Sequence, residues 1–317
     1  MRVNCPAHLS EQAQAVLSPD NGVSALSVIK GASAVPVGDL IYADIPRESA
    51  NLVIRALREL GIEREGTIVI SDASTWISQA AFTAEAQAPG AGSDAVVWAS
   101  VIERAYSESA LTWTFISFMI FATALAAIAI VTDSIILVIA AMVLGPEFVA
   151  VAALGLALVR KRPNLFRQAA RTLAIGFGVS IAVVAALAGI ARLLGLVDLN
   201  EVDTFRVGTS FIYTPNVWSF IVALIAGAVG VLALTSTQSG GLIGVFISVT
   251  TIPASGDAAL SLVFARWSEL AGSLTQLVIN ITGMAIAGWI TLALQQQVWK
   301  RVSSRQGVQQ QSGPTLH

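Results

Sequence analysis

Six apolar segments between residues 111 and 296 constrain the fold of this chain more than any other feature. Each is long enough to cross a hydrocarbon core of roughly 30 Å; they are 111–131, 134–159, 172–194, 217–234, 242–264 and 270–294. Because a bilayer offers no water to satisfy backbone groups, such segments must form helices. Only 12% of the 317 residues are charged, whereas soluble domains carry about 25%. We therefore predict an all-α polytopic membrane domain of about six helices over residues 111–296.

The chain before residue 73 has the composition of a soluble α/β domain. Short apolar runs predict strands, and apolar residues at helical spacing predict two helices. The predicted strands are Val3–Cys5, Val23–Lys30, Asp39–Ile45 and Gly66–Ser71, and the predicted helices are Glu11–Leu17 and Ser49–Leu60. The order βαββαβ is that of a ferredoxin-like domain, which we assign to residues 1–72.

Two further segments flank the membrane domain. Residues 73–110 are predicted to be a linker followed by a helix over Asp94–Ser109, which lies at the membrane interface or packs on the soluble domain. Residues 297–317 are predicted to be a disordered cytoplasmic tail.

The distribution of basic residues predicts the orientation. The loop after the second segment carries Arg160, Lys161, Arg162, Arg167 and Arg171, and basic loops remain in the cytoplasm. Counting crossings from that loop places both termini in the cytoplasm. We therefore predict a multi-pass protein of the cell (plasma) membrane, of the bacterial inner-membrane type.

A proline and an acid interrupt the second apolar segment at Gly145-Pro146-Glu147. Pro146 removes a backbone donor and clashes with the preceding turn, so a kink or break is expected there. Glu147 places a carboxylate near the middle of the segment, where insertion costs roughly 2.5–3.5 kcal/mol. Such residues usually face a protein interior or a water-filled path. Glu147 could also pair with an arginine or cap a half-helix.

The fifth segment carries a comparable interruption. Residues 248–257 combine hydroxyls, a proline and an acid, and the stretch 258–266 resembles 152–160 at five of nine positions, an offset of 106 residues (266 − 160). If the six spans form two halves of three spans each, the odd number of spans inverts the second half relative to the first. Broken helices at matching places in two such halves indicate the central site of a transporter. The candidate solute or ion pathway comprises Gly145, Pro146, Glu147, Thr250, Thr251, Pro253, Ser255, Asp257, Gln276 and Asn280. Hydrogen bonds between helices are the alternative role for Gln276 and Asn280.

A broken helix offers two kinds of charge. Its exposed N–H groups favour anions, whereas its exposed carbonyls favour cations. With the acids and hydroxyls of the two breaks, the carbonyl ends would suit Na⁺ or H⁺, and a buried carboxylate could take up a proton.

Several functions are disfavoured by what the sequence contains. Cys5, His8 and His317 are the only Cys and His residues, which argues against a zinc site. No Gly-x-Ser-x-Gly or P-loop motif is present, so we predict no enzymatic activity and no cofactor. A net charge of −2 without a basic stripe gives no indication of nucleic-acid binding.

The run from Asp133 to Arg162 resembles the uncharacterised hydrophobic domain family, domain of unknown function 389. The resemblance rests on Ala141, Met142, Gly145 and Pro146 in the second span, behind a small N-terminal α/β domain. Many members continue with Leu-Met-Gly-Pro, where this chain has Glu147-Phe148. The departure indicates a subgroup that carries the acid. The resemblance implies the fold and the membrane location but no specific activity.

Two functions remain open from the sequence. The first is a transporter or channel for a small polar or ionic solute, with a site near the bilayer midplane at the two breaks. The alternative is a non-transporting membrane sensor or scaffold whose cytoplasmic domain binds a ligand or partner. Small residues such as Gly176 and Gly227 permit close helix packing, within one chain or in a homo-oligomer.

Overall fold

The computed structural model describes residues 1–18, 22–71, 77–88, 95–197, 212, 217–235 and 250–311, with side chains through residue 298 except that of Gln87. The chain divides into two compact units. The first is built mainly from Met1–Val101, and the second mainly from Ile102–Leu234 and Gln238–Gln297.

The first unit contains a four-stranded antiparallel sheet. Its strands are β1 (Arg2–Pro6), β2 (Ala25–Ala34), β3 (Val37–Asp44) and β4 (Thr67–Val69), in the spatial order β2-β3-β1-β4. Helix α1 (Ser10–Val16) follows β1, and α2 (Arg47–Glu59) with the short α3 (Ile62–Glu65) joins β3 to β4. The four predicted strands are thus present, with ends shifted by a few residues.

The core of this unit follows from the two-residue period of the strands. Val3, Cys5 and Ile41 are fully buried. Their neighbours along the two strands, Asn4, Leu40 and Tyr42, face the other side of the sheet and are less buried. Helix α2 covers the buried face with Val53 and Leu57, which lie one turn apart.

The predicted linker contains a helix, α4 (Gln79–Gln87), which begins after the N-cap Ser78. The next helix is α5 (Trp98–Glu108). Asn51 of α2 donates to the carbonyl of Val96 (2.6 Å) and accepts from the amide of Trp98 (3.2 Å). The start of α5 therefore packs on the first unit, the second of the two arrangements considered above.

The second unit is helical. Its helices are α6 (Trp113–Val131), α7 (Ile135–Leu144), α8 (Glu147–Val159), α9 (Pro163–Leu193), α10 (Val217–Thr235), α11 (Thr251–Val263) and α12 (Trp267–Gln311). Four helices, α6, α9, α10 and the part of α12 up to Val298, are long and apolar enough to cross a membrane. Helices α7 and α8 form a bent pair that makes a fifth candidate. These helices identify the chain as a multi-pass membrane protein.

Two predicted boundaries differ from this arrangement. Of the predicted fifth span, residues 242–249 lie outside the described residues, and α11 alone has 13 residues, too few to cross a bilayer. Helix α12 continues to Gln311 through most of the segment predicted to be disordered. No proline lies between Pro253 and Pro314, and lysine, arginine and glutamine have good helix propensity.

The helices of the second unit recur at a constant spacing. Helices α6 and α10 have 19 residues each and begin 104 apart (217 − 113); α8 and α11 have 13 each and also begin 104 apart (251 − 147). Helices α9 and α12 begin 104 apart as well (267 − 163). The turns before them match, since Lys161 and Ala265 adopt φ of 52° and 56°. The sequence offset of 106 differs from this spacing by two residues; Ala- and Leu-rich segments match in several registers.

Helices α8 and α11 run in opposite directions from a common point. Their first residues, Glu147 and Thr251, are hydrogen-bonded at 2.6 Å. Helix α8 ends at Val159, just before α9 begins, whereas the carbonyl of Val263 at the end of α11 accepts from Arg192 near the other end of α9 (2.8 Å). Because α9 is roughly 45 Å long, the two helix ends are far apart.

Candidate functional site

The interruption in the second span is a break between two helices. Helix α7 ends at Leu144, Pro146 is the N-cap of α8, and the two helix axes differ by 54°. The predicted kink is confirmed. Gly145 leaves no space for a side chain, because a Cβ atom there would lie 2.6 Å from Cγ1 of Ile252 and against the Glu147 carboxylate.

Glu147 is the first residue of α8 and is 6% exposed. Its Oε1 accepts a hydrogen bond from the Thr251 hydroxyl (2.6 Å). Within the described part of the chain, Oε2 has no hydrogen-bond partner and no ion pair includes this carboxylate. The alternative of pairing with an arginine therefore finds no support among these residues.

A neighbouring group of amides binds the residue before Thr251. The side-chain amides of Asn280 (2.8 Å) and Gln276 (3.3 Å) both donate to the Thr250 hydroxyl oxygen, and Gln276 also donates to Asn280 (3.3 Å). Gln276 and Asn280 thus make the interhelical bonds that were one of their two predicted roles. We call Glu147, Thr250, Thr251, Gln276 and Asn280 the junction cluster; it joins α8, α11 and α12.

The junction cluster lies where two helix N-termini meet. Neither α8 nor α11 has a side-chain hydrogen bond to its N-terminal amides from the N-cap residue. Each N-terminus carries about half a positive charge, and the C-terminus of α7 at the same break carries about half a negative one. Pro253 lies in the first turn of α11, where its missing N–H would have no helical partner. It therefore does not break the described helix; the residues before Thr250 are not described.

The other predicted pathway residues on α11 lie in separate groups. Ser255 is within 2.9 Å of the Thr123 hydroxyl of α6 and donates to the carbonyl of Ile252 (2.7 Å). Asp257 accepts from Ser273 (2.6 Å) and Ser261 (3.3 Å). Asp257 follows Thr251 by six residues, roughly 9 Å along the helix. The structure does not bring Asp257 and Glu147 together.

Thr123, Ser261 and Ser273 are buried hydroxyl residues that bond to Ser255 or Asp257 and that sequence reasoning missed. Hydroxyls within apolar segments were their only signal. That signal is weak, because Ser and Thr in helices often bond to their own backbone.

A pocket of about 310 Å³ lies beside the break. Pro146 and Val149 form one wall, and the first turns of α6 form another through Thr112, Thr114, Phe115 and Phe118. Glu108 lies at its edge and is bonded to Arg104. The pocket reaches the residue before Glu147, although Glu147 itself is not in its wall.

Carboxylate, thiol and imidazole groups are sparse among the described residues. No group of three or more His, Cys, Asp and Glu side chains is close enough in that part of the chain to hold a metal ion.

The profile of a protein family described as Domain of unknown function (DUF389) matches residues 142–286. The matched stretch begins just before the break and contains the whole junction cluster. The chain matches no curated protein and no solved structure. The subgroup indicated by Glu147 stays a prediction, whereas the similarity of residues 142–286 to the DUF389 family is shown by the match.

Proposed function

We propose that this protein is a transporter or channel for a small polar or ionic solute and that the junction cluster is its central site. The observation that carries the proposal is the buried carboxylate of Glu147, with one oxygen bound by Thr251 and the other without a partner among the described residues. An acid in the middle of a membrane helix costs roughly 2.5–3.5 kcal/mol. Anchoring a sensor in the bilayer requires no such acid, whereas acids within membrane segments commonly mark solute and ion paths.

The proposed architecture is an inverted repeat of three spans per half, six crossings in all. The constant spacing of 104 residues supports it, as do the opposite directions of α8 and α11. On this interpretation Glu147 and Thr251 occupy equivalent positions (251 − 147 = 104) and bond to each other across the local twofold axis.

We further propose that the first unit is a ferredoxin-like domain with a regulatory or oligomerising role. The order β2-β3-β1-β4 and the antiparallel pairing of all neighbouring strands support this fold. With both termini in the cytoplasm of a plasma-membrane protein, the pocket at the start of α6 would open to the cytoplasmic side and serve as a vestibule to the break.

The test is solute and ion flux into proteoliposomes that contain the purified protein. We expect wild-type flux of at least one small polar or ionic solute, and its loss in Glu147→Gln, which keeps the size of the side chain. Asp257→Asn is the matched control, since it removes a buried carboxylate outside the junction cluster. Protein-independent leakage across a broad panel of solutes, unchanged in Glu147→Gln, would overturn the proposal.

A membrane sensor is the second candidate function, favoured by a pocket of about 280 Å³ within the first unit. It is lined by Ile54, Ile68 and Ile70 and by the ion pair of Arg58 and Glu63 (2.8 Å). An apolar pocket with a guanidinium at its edge suits a small anionic ligand. The sensor function predicts that such ligands stabilise the wild-type protein but not Arg58→Ala, in the absence of any flux.

A further inference from the structure

The buried side-chain atoms of the junction cluster that lack any hydrogen-bond partner among the described residues are two oxygens. Glu147 Oε2 and Gln276 Oε1 are buried and have no partner among the described residues. The Thr251 hydroxyl and the amide of Gln276 already donate within the cluster. A buried acceptor without a donor is costly, so a ligand with positive charge fits these oxygens better than an anion.

The described side chains of the surrounding helices supply no compensating cation. Helices α6, α7 and α10 contain no charged residue, the only one in α11 is Asp257, and the only one in α12 up to Val298 is Glu269, which is paired with Arg266. Helix α9 packs along α8, but none of its arginines is within ion-pair distance of Glu147; they are Arg167, Arg171 and Arg192. Among the described side chains, an ionised Glu147 therefore has no positive charge to balance it.

The charge balance sets the valence of that ion. The N-termini of α8 and α11 and the C-terminus of α7 together contribute about half a positive charge, which leaves about half a negative charge on an ionised Glu147. A monovalent cation would leave about half a positive charge and a divalent cation about one and a half, so the balance favours a monovalent ion over a divalent one. Divalent cations take six to eight oxygens with several carboxylates, which this cluster does not offer.

We propose that the junction cluster is a binding site for a monovalent cation, with the Glu147 carboxylate as its charged ligand and the Gln276 carbonyl oxygen as a neutral one. The two side chains are tied to consecutive residues of α11, Thr251 and Thr250, whose Cα atoms lie about 3.8 Å apart. Proton and alkali ion share this chemistry. A role of this cation as the coupling ion of transport rests on the proposed function. Its binding to the junction cluster is independent of that function.

The test measures binding without flux. The purified full-length protein in detergent is unfolded by heat while tryptophan fluorescence is recorded, with NaCl, KCl or N-methylglucamine chloride at constant ionic strength, at several pH values. A ligand that binds only the folded state raises the unfolding temperature. If the ligand is Na⁺ or K⁺, that salt alone raises it, and both Glu147→Gln and Gln276→Leu increase the apparent dissociation constant about tenfold or more. In Asp257→Asn, the same salt still raises the unfolding temperature.

If the ligand is the proton, the salts act alike, and the unfolding temperature depends more strongly on pH in wild type and Asp257→Asn than in Glu147→Gln, which keeps only the contributions of the other titratable groups. The inference is overturned if neither cation nor pH acts through Glu147, or if Gln276→Leu binds an alkali ion as tightly as wild type. Flux without cation binding would overturn this inference and leave the proposed function intact. Cation binding without flux would support this inference and overturn the proposed function.

Discussion

Exchanging the two residues that bond at the junction tests the equivalence of the two helix starts. Glu147 and Thr251 are the first residues of helices of equal length that run in opposite directions. If a local twofold axis relates them, the double variant Glu147→Thr/Thr251→Glu rebuilds the same hydrogen bond with the carboxylate supplied from α11 instead of α8.

The single variants define the scale of the effect. Glu147→Thr loses a hydrogen bond to a charged group, worth about 1.5–3 kcal/mol. Thr251→Glu places a second carboxylate where a hydroxyl now lies 2.6 Å from Oε1. At a separation of about 4 Å and an effective dielectric constant of about 20, two such charges repel by about 4 kcal/mol unless one takes up a proton. Additive effects would make the double variant the least stable of the three, whereas equivalence predicts a stability within about 1 kcal/mol of wild type.

The assay is a double-mutant cycle on thermal unfolding in detergent, with flux in proteoliposomes as a second measurement. We expect both single variants to lose flux and the double variant to regain it. The reasoning is refuted if the double variant is no more stable than Thr251→Glu, since the two positions would then not be interchangeable.

Three further outcomes follow from individual contacts. Gly256→Ala should cost about 1–3 kcal/mol in thermal unfolding, because its Cβ would lie 2.8 Å from α6, whereas Gly178→Ala, with nothing within 4 Å, should not destabilise. Ser273→Ala should cost about 1–3 kcal/mol by removing a 2.6 Å hydrogen bond to the buried carboxylate of α11, and an unchanged unfolding temperature would contradict this. A hydrogen bond from the Ser10 hydroxyl holds the pKa of Asp39 below its usual range. The ionised Asp39 carboxylate therefore stabilises the fold above the unfolded-state pKa of about 3.9, and this stabilisation is lost as the pH falls through the lower folded-state pKa. Hydrogen exchange should therefore show weaker protection of β1–β3 in Asp39→Asn at pH 7, with the difference from wild type vanishing in acid.

The sequence located the break but not its partner. Pro146 cannot continue a helix and Glu147 is costly in a lipid-facing position, so both residues are informative without a structure. The residue that binds Glu147 lies 104 positions away, and no local pattern specifies which hydroxyl of residues 248–255 will reach it. The meeting of the first residues of α8 and α11 selects Thr251.

Pro253 and Asp257 show what residue types alone leave undecided. Their residue types suggested a second break and a second acid at the same site. In the structure Pro253 lies harmlessly in the first turn of a helix, and Asp257 binds two serines away from the junction cluster. A proline or an acid in an apolar segment indicates that something polar must be accommodated, but only the neighbouring helices decide where.

By itself, the sequence determined that the chain enters a membrane, that an α/β unit precedes the helices and that the second span is broken. Hydrophobicity, strand and helix periods and proline sterics act over a few residues and can be read locally. The tertiary structure alone decided that two helix starts face each other, that one carboxylate oxygen stays without a partner among the described residues, and that α8 and α11 begin 104 positions apart. These features depend on contacts between residues distant in the chain, whose geometry is fixed only when the helices pack together.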